Sequence, residues 1–226
     1  LERCTSEESG LNIKDELGRT AFMWACRNGH KDVVQLLLHH SDRNIELNAR
    51  NICGQTAFMY ACGEGHKDVV QLLLDHSERI DLNARDTYRD TALMLACANG
   101  HKGVVQLLLD HSDSIDLNAR SNDGNTAFML ACQNGHTDVV KLLLDHSNII
   151  ELNARNIYGL TAFILACGNG RKDVVKLLLD NSERIELNTR DNYGITPFMI
   201  ACRRGHQNIV KLLLEYSEVV DINIPE

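Results

Sequence analysis

The sequence is poor in features that would divide it or carry it into a membrane. It has only two prolines, and no window is rich in Pro, Gly and Ser, so no internal linker is indicated. No apolar stretch reaches the roughly 18 residues that a transmembrane helix needs. A formal net charge of −8 argues against nucleic-acid or anionic-membrane surfaces, which need a basic footprint. We therefore expect an acidic intracellular protein, most simply a cytoplasmic one, without membrane insertion or nucleic-acid binding.

One segment of the sequence recurs throughout the chain. It reads TAFMLACQNGHTDVVKLLLDHS at residues 126–147, and related segments begin at Thr20, Thr56, Thr91, Thr161 and Thr196. The first spacing is 36 residues and each later one is 35. Residues 86–120 and 121–155 are identical at 22 of 35 positions. Self-similarity at such a period indicates stacked repeats, since each unit must bury its apolar face against the next.

Each unit is predicted to form two short antiparallel helices. The Thr126 hydroxyl can cap the first helix, and Gly135 has the left-handed freedom that the end of this helix needs. The second helix is expected to start at His136, with Asp138 near its positive dipole end. At about ten residues, neither helix is stable alone in water, so stacking must stabilise the pair.

The segments between units are predicted to be tight turns that project as hairpins. Asn, Asp and Gly recur there at fixed offsets, with Gly usually just before the next Thr. In the third unit Arg89 replaces this Gly, and Gly103 replaces the Asp of the second helix. Each change should cost on the order of 1 kcal/mol, so residues 86–120 are predicted to open before their neighbours.

These units resemble the ankyrin repeat. The resemblance rests on Thr-Ala/Pro-Phe/Leu-Met-x-Ala-Cys, then Gly-His, then Val-Val-x-Leu-Leu-Leu, then Leu-Asn-Ala. It implies an all-α solenoid of six stacked helix-turn-helix repeats with projecting hairpin loops. Met stands where the family usually has a His that makes hydrogen bonds between repeats, so packing is expected to replace those bonds.

The resemblance also sets the expected domain bounds. A single repeat domain is predicted over residues 11–223. Residues 1–10 are expected to be the tail of a truncated preceding repeat or an N-terminal cap, and residues 224–226 the start of a following segment. The repeats are placed at about 15–50, 51–85, 86–120, 121–155, 156–190 and 191–223.

The cysteines and histidines fall mainly in columns of the repeat, which argues against chemistry. Stacked helices lie roughly 8–10 Å apart, whereas disulfides need Cα atoms within about 7 Å, so the column cysteines are interpreted as buried, reduced core residues. Cys53 is expected to be exposed on a hairpin. A metal needs several convergent ligands and a column offers one per layer, so the Gly-His histidines are assigned to capping or turn bonding. His76, His111 and His146 are expected to be solvated. The cysteine column comprises Cys26, Cys62, Cys97, Cys132, Cys167 and Cys202. The histidine column comprises His30, His66, His101, His136 and His206, and Arg171 replaces the histidine in the fifth repeat.

The columns that vary between repeats are the candidates for binding, because the constant columns are used for folding. By position, the resemblance assigns them to the hairpins and first-helix surface with which the family commonly binds other proteins. Five of the six Trp and Tyr residues also lie in variable columns, and these residue types are enriched in binding hot spots. The predicted protein-binding residues are Trp24, Arg27, Ile52, Tyr60, Glu64, Tyr88, Leu95, Ile157, Tyr158, Leu165, Asn192, Tyr193 and Ile200.

The predicted function is a non-catalytic, monomeric scaffold that binds another protein without cofactor or metal. One alternative is a structural spacer within a larger multidomain protein. Another is a substrate of an asparaginyl hydroxylase, since the hairpin asparagines resemble those modified in some ankyrin repeats. The simpler interpretation of these residues is a turn asparagine that satisfies the backbone. The asparagines concerned are Asn48, Asn83, Asn118, Asn153 and Asn188.

Overall fold

The computed structural model describes residues 10–39 and 45–222, in which twelve α-helices follow one another in six pairs and no strand occurs. The predicted all-α architecture is thereby confirmed. Of the expected flanking segments at residues 1–10 and 224–226, residues 1–9 and 224–226 lie outside the described residues. The helices are α1 (Ala21–Arg27), α2 (Lys31–His39), α3 (Ala57–Gly63), α4 (Lys67–Leu74), α5 (Ala92–Ala98), α6 (Lys102–Asp110), α7 (Ala127–Asn134), α8 (Thr137–Asp145), α9 (Ala162–Gly168), α10 (Lys172–Leu179), α11 (Pro197–Arg203) and α12 (Gln207–Glu215).

The chain forms two compact units. The first contains the chain up to Ala96 together with Gly103–Ile115, and the second contains Cys97–Lys102 and the chain from Asp116 onward. Within the first unit, α1 packs on α3 and α2 packs on α4. Within the second, α7, α9 and α11 stack in order, as do α8, α10 and α12. Within each unit these helices thus pack on their equivalents in the neighbouring repeat, while the predicted single domain and its bounds stay a prediction.

The first helix of every repeat begins at a threonine cap. Each threonine hydroxyl accepts a hydrogen bond from the backbone N–H three residues later, at 3.2–3.4 Å. Such a cap contributes about 1 kcal/mol because it satisfies a helix N–H that has no partner within the helix. Gly135 ends α7 in the left-handed region with φ 85°. Both local predictions are confirmed.

The core consists of the constant apolar columns. Phe22, Phe58, Phe128 and Phe163 are at most 2% exposed, and Met23, Met59, Met94 and Met129 are each 1% exposed. These four methionines therefore pack in the interior. Packing was expected at this position because methionine replaces the histidine of the family motif.

The cysteine column is buried in five repeats and exposed in the sixth. Burial raises the pKa of the thiols of Cys26, Cys62, Cys97, Cys132 and Cys167 above the usual value. Cys202 is exposed, so its predicted burial is wrong. The reason is its place in the stack, since no helix follows α12 within the described residues to cover it.

Three of the Gly-His histidines bond to the preceding repeat and do not cap their own helices. Nε2 of His66 donates to the carbonyl oxygen of Arg27 at 2.7 Å, and Nε2 of His136 donates to that of Ala98 at 2.8 Å. His206 donates in the same way to Gly168. The helices that follow these histidines have no side-chain cap bond. His66, His136 and His206 therefore do cap a helix end, as predicted, but the helix is the first helix of the preceding repeat, which ends at Arg27, Ala98 or Gly168.

The histidines near the second-helix ends are half-buried, not solvated as expected. Nδ1 of His76 donates to the Leu72 carbonyl oxygen at 2.9 Å, and His111 and His146 bond in the same way four residues back. These bonds satisfy carbonyl groups that a helix end would otherwise leave without partners.

The hairpin asparagines also join neighbouring repeats. Asn153 Nδ2 donates to the Arg184 carbonyl oxygen at 2.9 Å, while Asn153 Oδ1 accepts from the Glu186 N–H at 2.9 Å. Asn48, Asn118 and Asn188 make the same pair of bonds. In each, Nδ2 donates to the carbonyl oxygen 31 residues ahead, and Oδ1 accepts from the N–H 33 residues ahead. These asparagines therefore satisfy the backbone of the next repeat, where a bond within their own turn was expected.

Candidate protein-binding surface

The projecting loops are five-residue turns built around an acceptor at their first position. In the second repeat, the Asn51 N–H donates to the Gln55 carbonyl oxygen at 3.0 Å. Asn51 Oδ1 accepts from the Cys53 and Gln55 N–H groups at 2.9 and 2.8 Å. Because these bonds use the backbone of the turn, the side chains at its second and third positions are left to project. Asp15, Asp86, Asn156 and Asp191 organise equivalent turns.

Each turn needs a left-handed residue at its fourth position. Five glycines fill it with φ between 75° and 78°, and Arg89 fills it in the third repeat with φ 62°. A glycine is favoured here because a Cβ on Gly124 would lie 3.1 Å from the backbone nitrogen of Ile157. The prediction that Arg89 occupies a left-handed position is confirmed, and the early opening of its repeat stays a prediction.

The tips within each unit are linked to one another. In the first unit the Ile52 N–H donates to the Leu17 carbonyl oxygen at 3.0 Å, and the Thr87 N–H donates to that of Cys53 at 2.9 Å. In the second unit the Asn192 N–H donates to the Tyr158 carbonyl oxygen at 3.0 Å. Neighbouring tips therefore hold their backbones in a fixed register.

The tip side chains present apolar groups to solvent. Tyr193 is 82% exposed, Tyr88 68%, Ile52 64%, Ile157 57% and Tyr158 48%. A single exposed apolar residue is ordinary, but several of them on neighbouring rigid turns of the same unit are a feature of interaction surfaces.

In the first unit, the candidate residues of α1 and α3 form an aromatic and cationic stack. The Arg19 guanidinium carbon lies 4.0 Å from the centroid of the Trp24 ring, and the Arg27 carbon lies 5.6 Å from Trp24 and 5.3 Å from Tyr60. Arg27 Nε is also 3.4 Å from Glu64 Oε1. Trp24 is 38% exposed, and Tyr60 is half-buried. Their rings are thus held by neighbouring side chains and only partly free for a partner.

Polar partners fix both rings of this stack. Trp24 Nε1 donates to Asp15 Oδ2 at 3.1 Å, and the Tyr60 hydroxyl accepts from Asn51 Nδ2 at 2.7 Å. The pKa of Asp15 lies below its usual value, first because its carboxylate accepts the Arg19 backbone N–H and further because of the Arg19 side chain and Trp24. Leu95, the equivalent residue in α5, is half-buried.

In the second unit, the candidate residues surround a groove of about 260 Å³ between α9 and α11. Tyr158 and Tyr193 stand at its tip side. Leu165 and Ile200 are only 9% and 7% exposed, so they form its floor and do not project as interaction side chains. Ile157 and Asn192 are exposed on the adjacent tips, where Asn192 Nδ2 donates to the Ile157 carbonyl oxygen at 2.9 Å.

Seven residues outside the predicted set also line this groove, among them one leucine and two arginines. Leu160 follows the tip of the fifth repeat, and Arg203 and Arg204 come from the end of α11. Arg203 belongs to the same variable column as Arg27, and Arg204 stands where most repeats have Asn. Column variation therefore points to the two arginines as well as to the predicted residues.

No feature of the described ranges points to a metal site or a membrane span. The side chains there contain no group of three or more potential metal ligands. None of the described helices is long and apolar enough to cross a bilayer.

Comparison with known proteins agrees with the repeat architecture. A family model described as "Ankyrin repeats (3 copies)" matches residues 3–86, 78–156 and 148–225. Osteoclast-stimulating factor 1 of Danio rerio is 48% identical over 48 residues, which are 21% of this chain and 22% of that protein. The Monopterus albus protein of the same name is 51% identical over 39 residues, 17% of this chain and 18% of its own. The chain therefore spans about a fifth of the length of these curated relatives. Arrays of ankyrin repeats typically act as scaffolds for protein–protein interaction. Because the matches to the family model together cover residues 3–225, this chain belongs to the ankyrin repeat family.

Proposed function

We propose that this chain is a non-catalytic, monomeric intracellular scaffold that binds a partner protein through its hairpin tips and first-helix surface. The observation that carries the proposal is the groove between α9 and α11, with exposed Tyr158 and Tyr193 above an apolar floor. Tyrosine supplies a large contact area at low entropic cost, and binding energy often concentrates on such residues.

Rigidity of the tips supports the same proposal. The turn that carries Tyr193 is closed by the Asp191 N–H, which donates to the Ile195 carbonyl oxygen at 3.0 Å, and by two bonds to Asp191 Oδ1. A side chain on such a turn loses little backbone freedom when it binds, so more of the contact energy appears as affinity.

The test compares two triple variants, each of which replaces three exposed apolar or aromatic side chains with serine. The first changes the tip residues: Tyr88→Ser, Tyr158→Ser and Tyr193→Ser. The control changes exposed apolar residues in α2, in α12 and after α12: Val33→Ser, Leu214→Ser and Val219→Ser. The control side chains are 46%, 45% and 44% exposed.

Both variants and the parent chain are used to capture partners from a matched cell extract, after circular dichroism has confirmed that each is folded. We expect a partner that is retained by the control and lost by the tip variant. A partner retained by the tip variant but lost by the control would move the site to the second helices and refute the proposal. No partner with any of the chains would favour the structural spacer.

The hydroxylase-substrate alternative has its own measurement. The amide groups of Asn48, Asn118, Asn153 and Asn188 are engaged with the next repeat, so a modifying enzyme would need that junction to open. A mass increase of one oxygen on the peptides that contain these residues, isolated from cells, would support it.

A further inference from the structure

A second groove lies between α10 and α12, on the helices that the hairpin surface does not use. Its volume is about 320 Å³. The polar residues that line it are Lys172, Lys176, Asn208, Lys211, Glu215 and Tyr216. Lys172 and Lys176 are four residues apart on α10, and Asn208, Lys211 and Glu215 follow at helical spacing on α12. One face of each helix therefore contributes to the same groove.

This groove is positive in a negative chain. Three lysines and one glutamate line it, which gives a formal charge of +2, whereas the chain carries −8. Among the side chains that the structure describes, none of these lysines forms an ion pair. The ammonium groups are therefore available to an external anion.

The charge arises from two columns that change toward the end of the chain. The position of Lys176 and Lys211 is Gln35, Gln71 and Gln106 in the first three repeats. The position of Asn208 is an aspartate in four of the other repeats: Asp32, Asp68, Asp138 and Asp173.

The equivalent surfaces elsewhere in the chain do not share this charge. On α2 and α4, the residues at the same repeat positions as the groove lining carry a formal charge of −1, because Asp68 and Asp75 outweigh Lys31. For α8 and α10 they are neutral, because Asp173 and Asp180 balance Lys141 and Lys176. The positive groove is thus a property of the last two repeats and not of the repeat pattern.

The favourable end of the groove is the one near the helix N-termini. The Tyr216 hydroxyl donates to Asp180 Oδ1 at 2.7 Å, which places the C-terminal ends of α10 and α12 side by side. Lys172 and Asn208 therefore lie together at the N-terminal end, where the helix dipoles add positive potential. Glu215 is seven residues beyond Asn208, about 10 Å along the helix axis, so its repulsion of an anion at that end is weak.

We propose that this groove binds a phosphomonoester dianion, carried by a phosphorylated side chain of a peptide, between Lys172, Lys176, Asn208 and Lys211. A phosphomonoester carries about −1.5 to −2 charges at pH 7, which complements the formal +2 of the groove. Lysine ammonium groups bind phosphate as point charges, and the Asn208 amide adds a neutral donor. The negative charge of the rest of the chain disfavours extended polyanions, so a compact anion fits best.

The test is a nuclear magnetic resonance titration of the whole chain with acetyl-Gly-phosphoserine-Gly-amide, its unphosphorylated twin and inorganic phosphate. We expect saturable shifts of the backbone amides near Lys172 and Lys211 with the phosphopeptide and none with the twin. Lys211→Gln should lower the affinity about fivefold, the loss of one close charge pair in water. Asn208→Asp should lower it at least as much, because it restores the carboxylate of the other repeats. Glu215→Gln should leave it unchanged or raise it.

The matched control is Lys67→Gln, which removes the α4 lysine that corresponds to Lys172 and should leave the affinity unchanged. The proposal is wrong if the unphosphorylated peptide produces the same shifts, if the shifts lie away from α10 and α12, or if Lys67→Gln weakens binding as much as Lys211→Gln does. Inorganic phosphate that binds as tightly as the phosphopeptide would support the phosphate site but overturn the peptide as its source, in favour of a free phosphorylated molecule.

Discussion

Replacement of Asn153 by alanine tests whether the asparagines hold neighbouring repeats together. The side chain makes two hydrogen bonds to the next repeat, each 2.9 Å long. A net contribution of about 0.5–1.5 kcal/mol per bond gives a loss of about 1–3 kcal/mol. Because both bonds are partly exposed and water can replace them, we expect the lower half of this range, about 1–2 kcal/mol.

Urea unfolding followed by circular dichroism measures the total loss, and hydrogen exchange locates it. The Glu186 N–H loses its acceptor in Asn153→Ala, so its amide should exchange faster than in the parent chain. Asn148→Ala is the control, since Asn148 is exposed and its side chain makes no hydrogen bond with the residues that the structure describes. We expect the control to change stability by less than about 0.5 kcal/mol.

Two results together would refute this reasoning. One is a change in unfolding free energy for Asn153→Ala no larger than that of the control. The other is an unchanged exchange rate at Glu186. The asparagine bonds would then be a consequence of stacking and not a source of its stability.

Two further predictions concern the turn of the third repeat and the buried thiols. Arg89→Gly should stabilise the chain by about 0.5–1 kcal/mol. The reason is that glycine removes the backbone strain of a left-handed residue, and this gain exceeds the conformational entropy that glycine adds to the unfolded chain. Amide exchange across residues 86–120 should then slow, whereas Gly124→Ala should destabilise its own repeat. For the thiols, burial raises the pKa of the folded state above that of the unfolded state. Above a pH of about 9 the unfolded chain loses the thiol proton while the folded chain keeps it, so the free energy of unfolding falls as the pH rises. In Cys132→Ala, this decline should be shallower by up to about 1.4 kcal/mol per pH unit.

Controls for these two predictions come from the chain itself. If Arg89→Gly destabilises the third repeat, the Arg89 side chain makes contacts that outweigh its backbone strain. Cys53 and Cys202 are exposed and should react with a thiol reagent in the folded chain, whereas the five buried thiols should not. Labelling of Cys132 as rapid as that of Cys53 would contradict the burial on which the pH prediction depends.

Local features were predictable from the sequence because they depend on a few adjacent residues. The Thr126 cap and the left-handed Gly135 follow from the helix ends alone, and the strain at Arg89 follows from comparison with glycine in the other repeats. These features need no knowledge of how the repeats pack.

Features that depend on the stacking were harder to predict. The bond from His66 to the Arg27 carbonyl joins residues 39 positions apart, and only the register between repeats brings them together. Burial of Leu165 likewise depends on the neighbouring repeat, so a variable column did not guarantee an accessible side chain. The basic groove between α10 and α12 follows from the sequence only when charges are summed over the second-helix columns of two neighbouring repeats, because neither repeat alone shows which residues share a groove.

The junctions between repeats join a side chain on one repeat to main-chain atoms on its neighbour. Arg171 shows the consequence: its Nε donates to the Gln133 carbonyl oxygen at 2.9 Å, in the place that imidazole takes elsewhere. Since every residue has the same peptide group, such a junction requires no matching substitution on the other side. A repeat copied by gene duplication could therefore form these bonds with its new neighbour at once. Its surface could then diverge while the bonds stayed intact. As far as these bonds are concerned, an array of this kind can lengthen or shorten by whole repeats without matching changes in the neighbouring side chains.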